Sequence, residues 1–303
     1  MSVNAVTVRV PAKVNVQLAV GGRRPDGFHD LANVFLAVGL YDHVTATPAQ
    51  ELRITGEGLD IASVPLDGSN LAARAAVALA ERHGVQPRVH LHIGKDIPVA
   101  GGMAGGSADA AAALLACDTL WGLGSSRDDL LEICAELGSD VPFSLAGGAA
   151  LGVGRGEILT PLTVGGSFSW VFAVADGGLS TPAVYRECDR LRREQGAGDA
   201  AGDVPTPEAD PRLLAALRDG DVHALAAALH NDLQPAALSL RPDLAYTLRA
   251  GTDAGALAAI VSGSGPTCAF LAPDADTAGK IAATLGPAAR TATSPAPGAT
   301  ALG

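Results

Sequence analysis

Two α+β domains meeting near residue 160 are what the chain predicts. Three observations carry the prediction. Alternating apolar residues of strand type recur at 3–20, 33–38, 42–47 and 51–55, a cluster of glycines from Gly101 opens onto an alanine-rich helical stretch, and after Thr160 a second block mixes strand and helix patterns. At 303 residues the chain can bury two ordinary cores.

In order, residues 3–20 read as two strand segments around Pro11, with Val14, Val16 and Leu18 on one face and Lys13, Asn15 and Gln17 on the other. GGRRPDGFHD at 21–30 is turn-rich and reads as a loop. Strand patterns follow at 33–38, 42–47 and 51–55. Asn70 is placed to cap LAARAAVALAERH, which Gly84 stops. RVHLHI at 88–93 alternates, with His90 and His92 on one face; no third ligand at a fitting spacing makes them a zinc site. Ser107 is expected to cap the alanine-rich helix, and Ser126 with Asp129 forms a capping box for a helix ending at Gly138. SWVFAVA at 169–175 reads as a buried strand, 195–211 as a mobile Gly/Pro excursion, 212–230 and 241–254 as helices, and AAIVSGSGPTCAFLA as a strand pair. The tail from 291 is expected to be flexible for want of apolar content, giving domains at 1–160 and 161–290.

Composition narrows the function. Hydrophobic residues make up 48% and charged residues 17%, and the net charge of −11 argues against a nucleic-acid partner. An anionic ligand must therefore be attracted locally. The N-terminus lacks the basic-then-apolar layout of a signal peptide, and no apolar run approaches the roughly 20 residues a membrane span needs. A cytoplasmic protein without a membrane partner is expected, its four scattered cysteines reduced and buried. Nothing in the sequence sets an oligomeric state.

PVAGGMAGGSADAA at 98–111 is the informative stretch. Glycines let backbone approach a ligand closely, and a helix N-terminus attracts anions. A P-loop fails here because Ser107 stands where the lysine belongs, and no G-x-G-x-x-G spacing exists for a dinucleotide fold. A plain glycine turn under a helix is the remaining alternative.

The stretch resembles the phosphate loop of the GHMP kinases. PAKVNVQLAVGGRRPDGFHDL at 11–31 resembles the family's N-terminal motif and VSGSGPTCAFL at 261–271 its C-terminal glycine motif, in the family's order. The resemblance implies a two-domain fold with its active site in the interdomain cleft, ATP as co-substrate with Mg²⁺, and a small-molecule alcohol as acceptor. Gly27–His29 and GSDVPF at 138–143 look most like the branch whose acceptor carries cytosine, on the non-mevalonate route to isoprenoid precursors. By this resemblance Pro98, Val99, Ala100, Gly101, Gly102, Met103, Ala104, Gly105, Gly106, Ser107 and Ala108 wrap the ATP phosphates, with Ser107 next to the metal. Asp140 is implied as general base with Lys13 beside it; read from the residues alone, Asp140 is equally a helix N-cap and Lys13 a solvated strand residue. Phe28, His29 and Tyr185 are implied to hold the base, with Asn15 and Thr181 as polar substrate contacts. The chain departs from the family's usual pattern at Phe28, Ala104 and Ala108, where tyrosine, glycine and serine are common.

Overall fold

A computed structural model describes residues 4–99, 101–175, 177–198 and 203–302. Its first sheet is built on a long antiparallel hairpin of β1 (Val6–Arg23) and β2 (His29–Pro48). Each was expected as two short strands. Pairing instead runs through Pro11, because a register shift between Pro11 and Ala12 accommodates the residue that cannot donate to the ladder. The predicted loop correspondingly shrinks to Arg24–Phe28.

β3 (Arg53–Gly58), α1 (Leu71–His83) and β4 (Val89–Lys95) follow. The Asn70 side chain accepts from the Ala72 N–H and Gly84 ends α1 at φ 65°, as the cap residues predict. β4 buries Val89, Leu91 and Ile93. His90 and His92 both bond the Thr55 hydroxyl, at 2.7 and 2.9 Å. α2 (Gly105–Trp121) carries the fully buried alanines 110–113, whose small side chains let it sit close to β1, β2 and α1. It starts before the residue expected to cap it. Ala104 holds the N-cap position at φ 61° with no side-chain cap, and Ser107 lies in the first turn, so the helix end stays open.

α3 (Arg127–Leu137) has the predicted capping box, and α4 (Val141–Ala146) begins after Asp140. β5 (Ala149–Val153) pairs with β2, and β6 (Ile158–Pro161) with β5.

After these come β7 (Phe168–Ala173), α5 (Thr181–Glu194), α6 (Pro211–Asp219), α7 (Val222–Ala228), β8 (His230–Asn231), α8 (Gln234–Leu240), α9 (Leu244–Asp253), β9 (Ala258–Val261), β10 (Cys268–Ala272), α10 (Ala275–Leu285), β11 (Arg290–Ser294) and β12 (Thr300–Leu302); β8 and β12 pair with β1 in the first sheet, and the others make up the second unit. Four strands form its sheet, in the order β11-β7-β10-β9. The helix expected over 212–230 is split at Gly220 (φ 70°), after which the Asp221 side chain caps α7. Residues 199–202 of the expected excursion lie outside the described residues. Its C-terminal end is fastened, since Gln17 donates to the Glu208 carbonyl (2.7 Å) and accepts from the Asp210 N–H (2.8 Å).

The flexible tail is corrected. β11 pairs with β7 in the second sheet, and β12 returns to pair with β1 in the first. Backbone pairing to an existing edge supplies what the side chains of TATSPAPGATALG lack. All four cysteines are free and buried, and burial pushes the thiols of Cys117, Cys134 and Cys268 up to about 12. Among the described residues no helix is long and apolar enough to cross a membrane.

Candidate active site

A cavity of about 720 Å³ opens between the two units. Residues from β1, the glycine loop and the start of α4 face it from one side, and α5 and the turn between β9 and β10 from the other. The expected loop residues Gly101, Gly102, Ala104, Gly105, Gly106 and Ser107 line it. Met103 and Ala108 do not, because their side chains are fully buried in the core. Pro98 and Val99 line a second cavity of about 450 Å³ with Leu59, Asp60, Ser63 and Ala175. Ala100 lies outside the described residues.

The loop's glycines are required by what crowds it. Gly102 has φ 75°, and a Cβ there would collide with the Ser262 carbonyl oxygen. At Gly101 a Cβ would stand 2.7 Å from the Thr267 hydroxyl. The Thr267 N–H donates to the Gly101 carbonyl (3.3 Å) and the Ser262 hydroxyl to that of Gly102 (3.2 Å). Thus the SGSG turn holds the loop against the first unit, as its glycines suggested. Gly102→Ala combines left-handed strain of about 1–2 kcal/mol with that collision. The KM for ATP is expected to rise about tenfold with the far-ultraviolet dichroism unchanged, measured by nucleotide titration.

Lys13 is buried, not solvated, and so are its strand-face neighbours Asn15 and Gln17. Its ammonium donates to Asn15 Oδ1 (2.7 Å) and to the Gly102 carbonyl (2.9 Å), and it lies 3.5 Å from Asp140 Oδ2. An ammonium has three hydrogens, so one is left for Asp140 or for an anion in the cavity. Asp140 does occupy an N-cap position, but its side chain makes no capping bond; its carboxylate faces Lys13 instead. Asn15, expected to touch substrate, lines the cavity, and its amide also bonds Lys13 and Asn33 Oδ1 (2.7 Å). It braces the lysine.

Behind the loop, Lys95 is buried between Asp42 and Asp109. It is 2.8 Å from Asp109 Oδ2, while Asp42 Oδ1 accepts the N–H groups of Asp96 and Ile97 (2.7 and 2.8 Å). Burial alone would depress the ammonium, but Asp109 and Asp42 outweigh it and hold Lys95 above its ordinary value. Burial, joined by the Asp42 charge, pushes the Asp109 carboxyl up to about 8 against the opposing pull of Lys95.

At the far end of the cavity Phe28 is half exposed, and Arg155 lies over its ring at 5.2 Å. His29 stacks on Tyr185 with centroids 5.0 Å apart, and its Nε2 is 2.8 Å from Asp189 Oδ1. Burial pushes the Tyr185 hydroxyl up, and the Asp140 charge adds to this. Thr181 lines the cavity while sharing a 2.9 Å hydrogen bond with Ser264. Sequence reasoning missed Asp189, Arg23, Arg155 and Arg186, all of which face the cavity. The arginines make a local basic wall on an acidic chain. No group of three or more His, Cys, Asp or Glu among the described residues could hold a metal. Ser107, expected next to the metal, lines the cavity wall.

Family models for the GHMP kinases N terminal domain and the GHMP kinases C terminal match residues 70–148 and 213–289. A protein of Streptomyces avermitilis called 4-diphosphocytidyl-2-C-methyl-D-erythritol kinase is 72% identical, covering 98% of this chain and 100% of that one. One of the same name from Streptomyces coelicolor is 68% identical, covering 98% and 99%. A crystal structure of 4-(cytidine 5'-diphospho)-2C-methyl-D-erythritol kinase superposes with a TM-score of 0.77 at 32% identity, covering 95% and 99%. Homoserine kinase from Cytophaga hutchinsonii, at 19% identity and a TM-score of 0.74, shares the fold. Fold, cleft and matches together define the class, an ATP-dependent small-molecule kinase. Within it, the chain belongs to the GHMP kinases.

Proposed function

We propose that the chain transfers the terminal phosphoryl group of ATP to the 2-hydroxyl of 4-diphosphocytidyl-2-C-methyl-D-erythritol, on the non-mevalonate route to isoprenoid precursors. The observation that carries this is Lys13 set 3.5 Å from an uncapped Asp140 at a cleft whose opposite end holds an aromatic–histidine clamp. The relatives' names supply the substrate.

Phosphoryl transfer needs the phosphates gripped, their charge offset and the acceptor aligned. Residues Gly101 to Ser107 grip them with backbone N–H groups and the open end of α2. The purine lies toward Pro98 and Val99 in the second cavity. Asp140 takes the proton of the acceptor hydroxyl, and Lys13 offsets the charge that develops between hydroxyl and phosphate. Ser107 holds Mg²⁺, which supplies charge neutralisation on the phosphates when bound. Phe28, His29 and Tyr185 hold the cytosine, and Arg23, Arg155 and Arg186 suit the diphosphate linking base to alcohol. Phe28 keeps a stacking face without a hydroxyl donor.

A homoserine or mevalonate acceptor gives this clamp nothing to hold. In an ADP-release assay over a panel of acceptors, the cytidyl compound is expected to support turnover and homoserine and mevalonate are not. Turnover of homoserine with the cytidyl compound ignored would falsify the proposal.

A further inference from the structure

His29 opens β2, and both it and Asp189 are buried, at 7% and 5% exposure. Its Nε2 lies 2.8 Å from Asp189 Oδ1. Asp189 is not free to leave. Arg192, on the same helix, donates to the carbonyls of Val20 and Gly21 (2.6 and 2.9 Å) and so ties α5 to the strand that leads into the hairpin. Tyr185, one turn before Asp189, covers the imidazole face and keeps the ring from turning over.

A carboxylate accepts hydrogen bonds and cannot donate them, so the Nε2 atom carries the hydrogen. The neutral ring then presents Nδ1 as a bare lone pair. That atom has no hydrogen-bond partner among the described residues, and His29 lines the cavity. An acceptor in that place matches a ring whose edge offers an amino group. It opposes a ring offering a carbonyl there, because two lone pairs would face each other. Cytosine carries an amino donor where uracil carries a carbonyl, and the neighbouring ring nitrogen accepts in cytosine and donates in uracil; the bare Nδ1 selects cytosine by meeting the exocyclic amino group.

We infer that Asp189 is a positioning residue that makes the site select cytosine over uracil by fixing the tautomer of His29. The inference rests on the reading that a cytidine diphosphate-linked alcohol is the substrate, and names the device that recognises its base.

The test compares the cytidyl substrate with its uridyl counterpart, as kcat/KM measured for both under the same conditions. The parent enzyme is expected to prefer the cytidyl form. In Asp189→Asn the amide can either donate to or accept from Nε2, so the fixed tautomer is lost. The ratio of the two kcat/KM values is expected to fall at least about tenfold, mainly through KM for the cytidyl form. A merely structural role would lower both substrates together, and an unchanged ratio overturns the inference. Should the variant fail to fold, a long-range ¹H–¹⁵N spectrum of the parent decides it. A hydrogen on Nε2 with Nδ1 bare supports the inference, and a hydrogen on Nδ1 overturns it. A parent enzyme that turns over neither nucleotide substrate overturns the substrate reading instead, a result distinct from an unchanged ratio.

Discussion

Asp140→Asn is expected to cut turnover at least about a hundredfold while leaving ATP affinity within about twofold of the parent, because a positioned base contributes roughly 10²–10⁴ in rate. Asparagine keeps the size and the N-cap position and makes no new demand on α4, since Asp140 forms no capping bond to lose. What it removes is the charge 3.5 Å from Lys13 and the capacity to take a proton. Among the described residues no hydrogen bond joins that carboxylate to the phosphate loop, and Lys13 keeps its bond to the Gly102 carbonyl, so nucleotide binding is expected to change little. Single-turnover kinetics with a separate ATP titration divide the two effects. Turnover equal to the parent's would remove Asp140 from the base role.

Lys95→Met is expected to be the most damaging substitution for stability, by about 3–5 kcal/mol, the cost of leaving buried charge without its partner. Methionine fills the lysine stem's volume but strands Asp42 and Asp109, whose side chains are 0% and 4% exposed. The sign with pH follows from the direction of the shift. A buried carboxyl whose folded-state pKa is raised destabilises the fold when ionised, and the penalty fades as pH falls from that raised value toward the ordinary carboxylate range. Asp109 is already pushed up to about 8 with the lysine present. The deficit of the variant relative to the parent is therefore expected to narrow as the pH is lowered from about 8 to about 5. Urea unfolding at several pH values measures it, and a deficit independent of pH would place the loss in packing instead.

Legibility in the sequence followed the range of the interactions. α1 and α3 could be read because Asn70, Gly84, Ser126 and Asp129 act on their own helix ends. The SGSG turn could be read because its glycines announce close backbone approach, here to Gly101 and Gly102. Lys13 and Asp140 were nameable by resemblance, yet no local pattern says that the polar face of β1 is buried. That depends on what covers it, including Glu208 and Asp210 from beyond the second sheet's first strand. Lys95 could not be read from its neighbours in the chain, because its partners stand in other elements. Asp189 had no signal at all. Its partner His29 lies 160 positions away, and an aspartate in a charged amphipathic helix resembles any solvated one. Ala104 shows a finer limit: no local pattern says that it stands at φ 61°, where an L-residue is strained and the family's common glycine is not.

The pairing of β12 with β1 carries a consequence for biosynthesis. During translation the Thr7–Arg9 stretch of the first strand emerges early and lacks this partner until residues 300–302 have cleared the ribosome. The nascent amino-terminal half therefore spends most of its synthesis with a sticky rim, where neighbouring polypeptides can dock and aggregate.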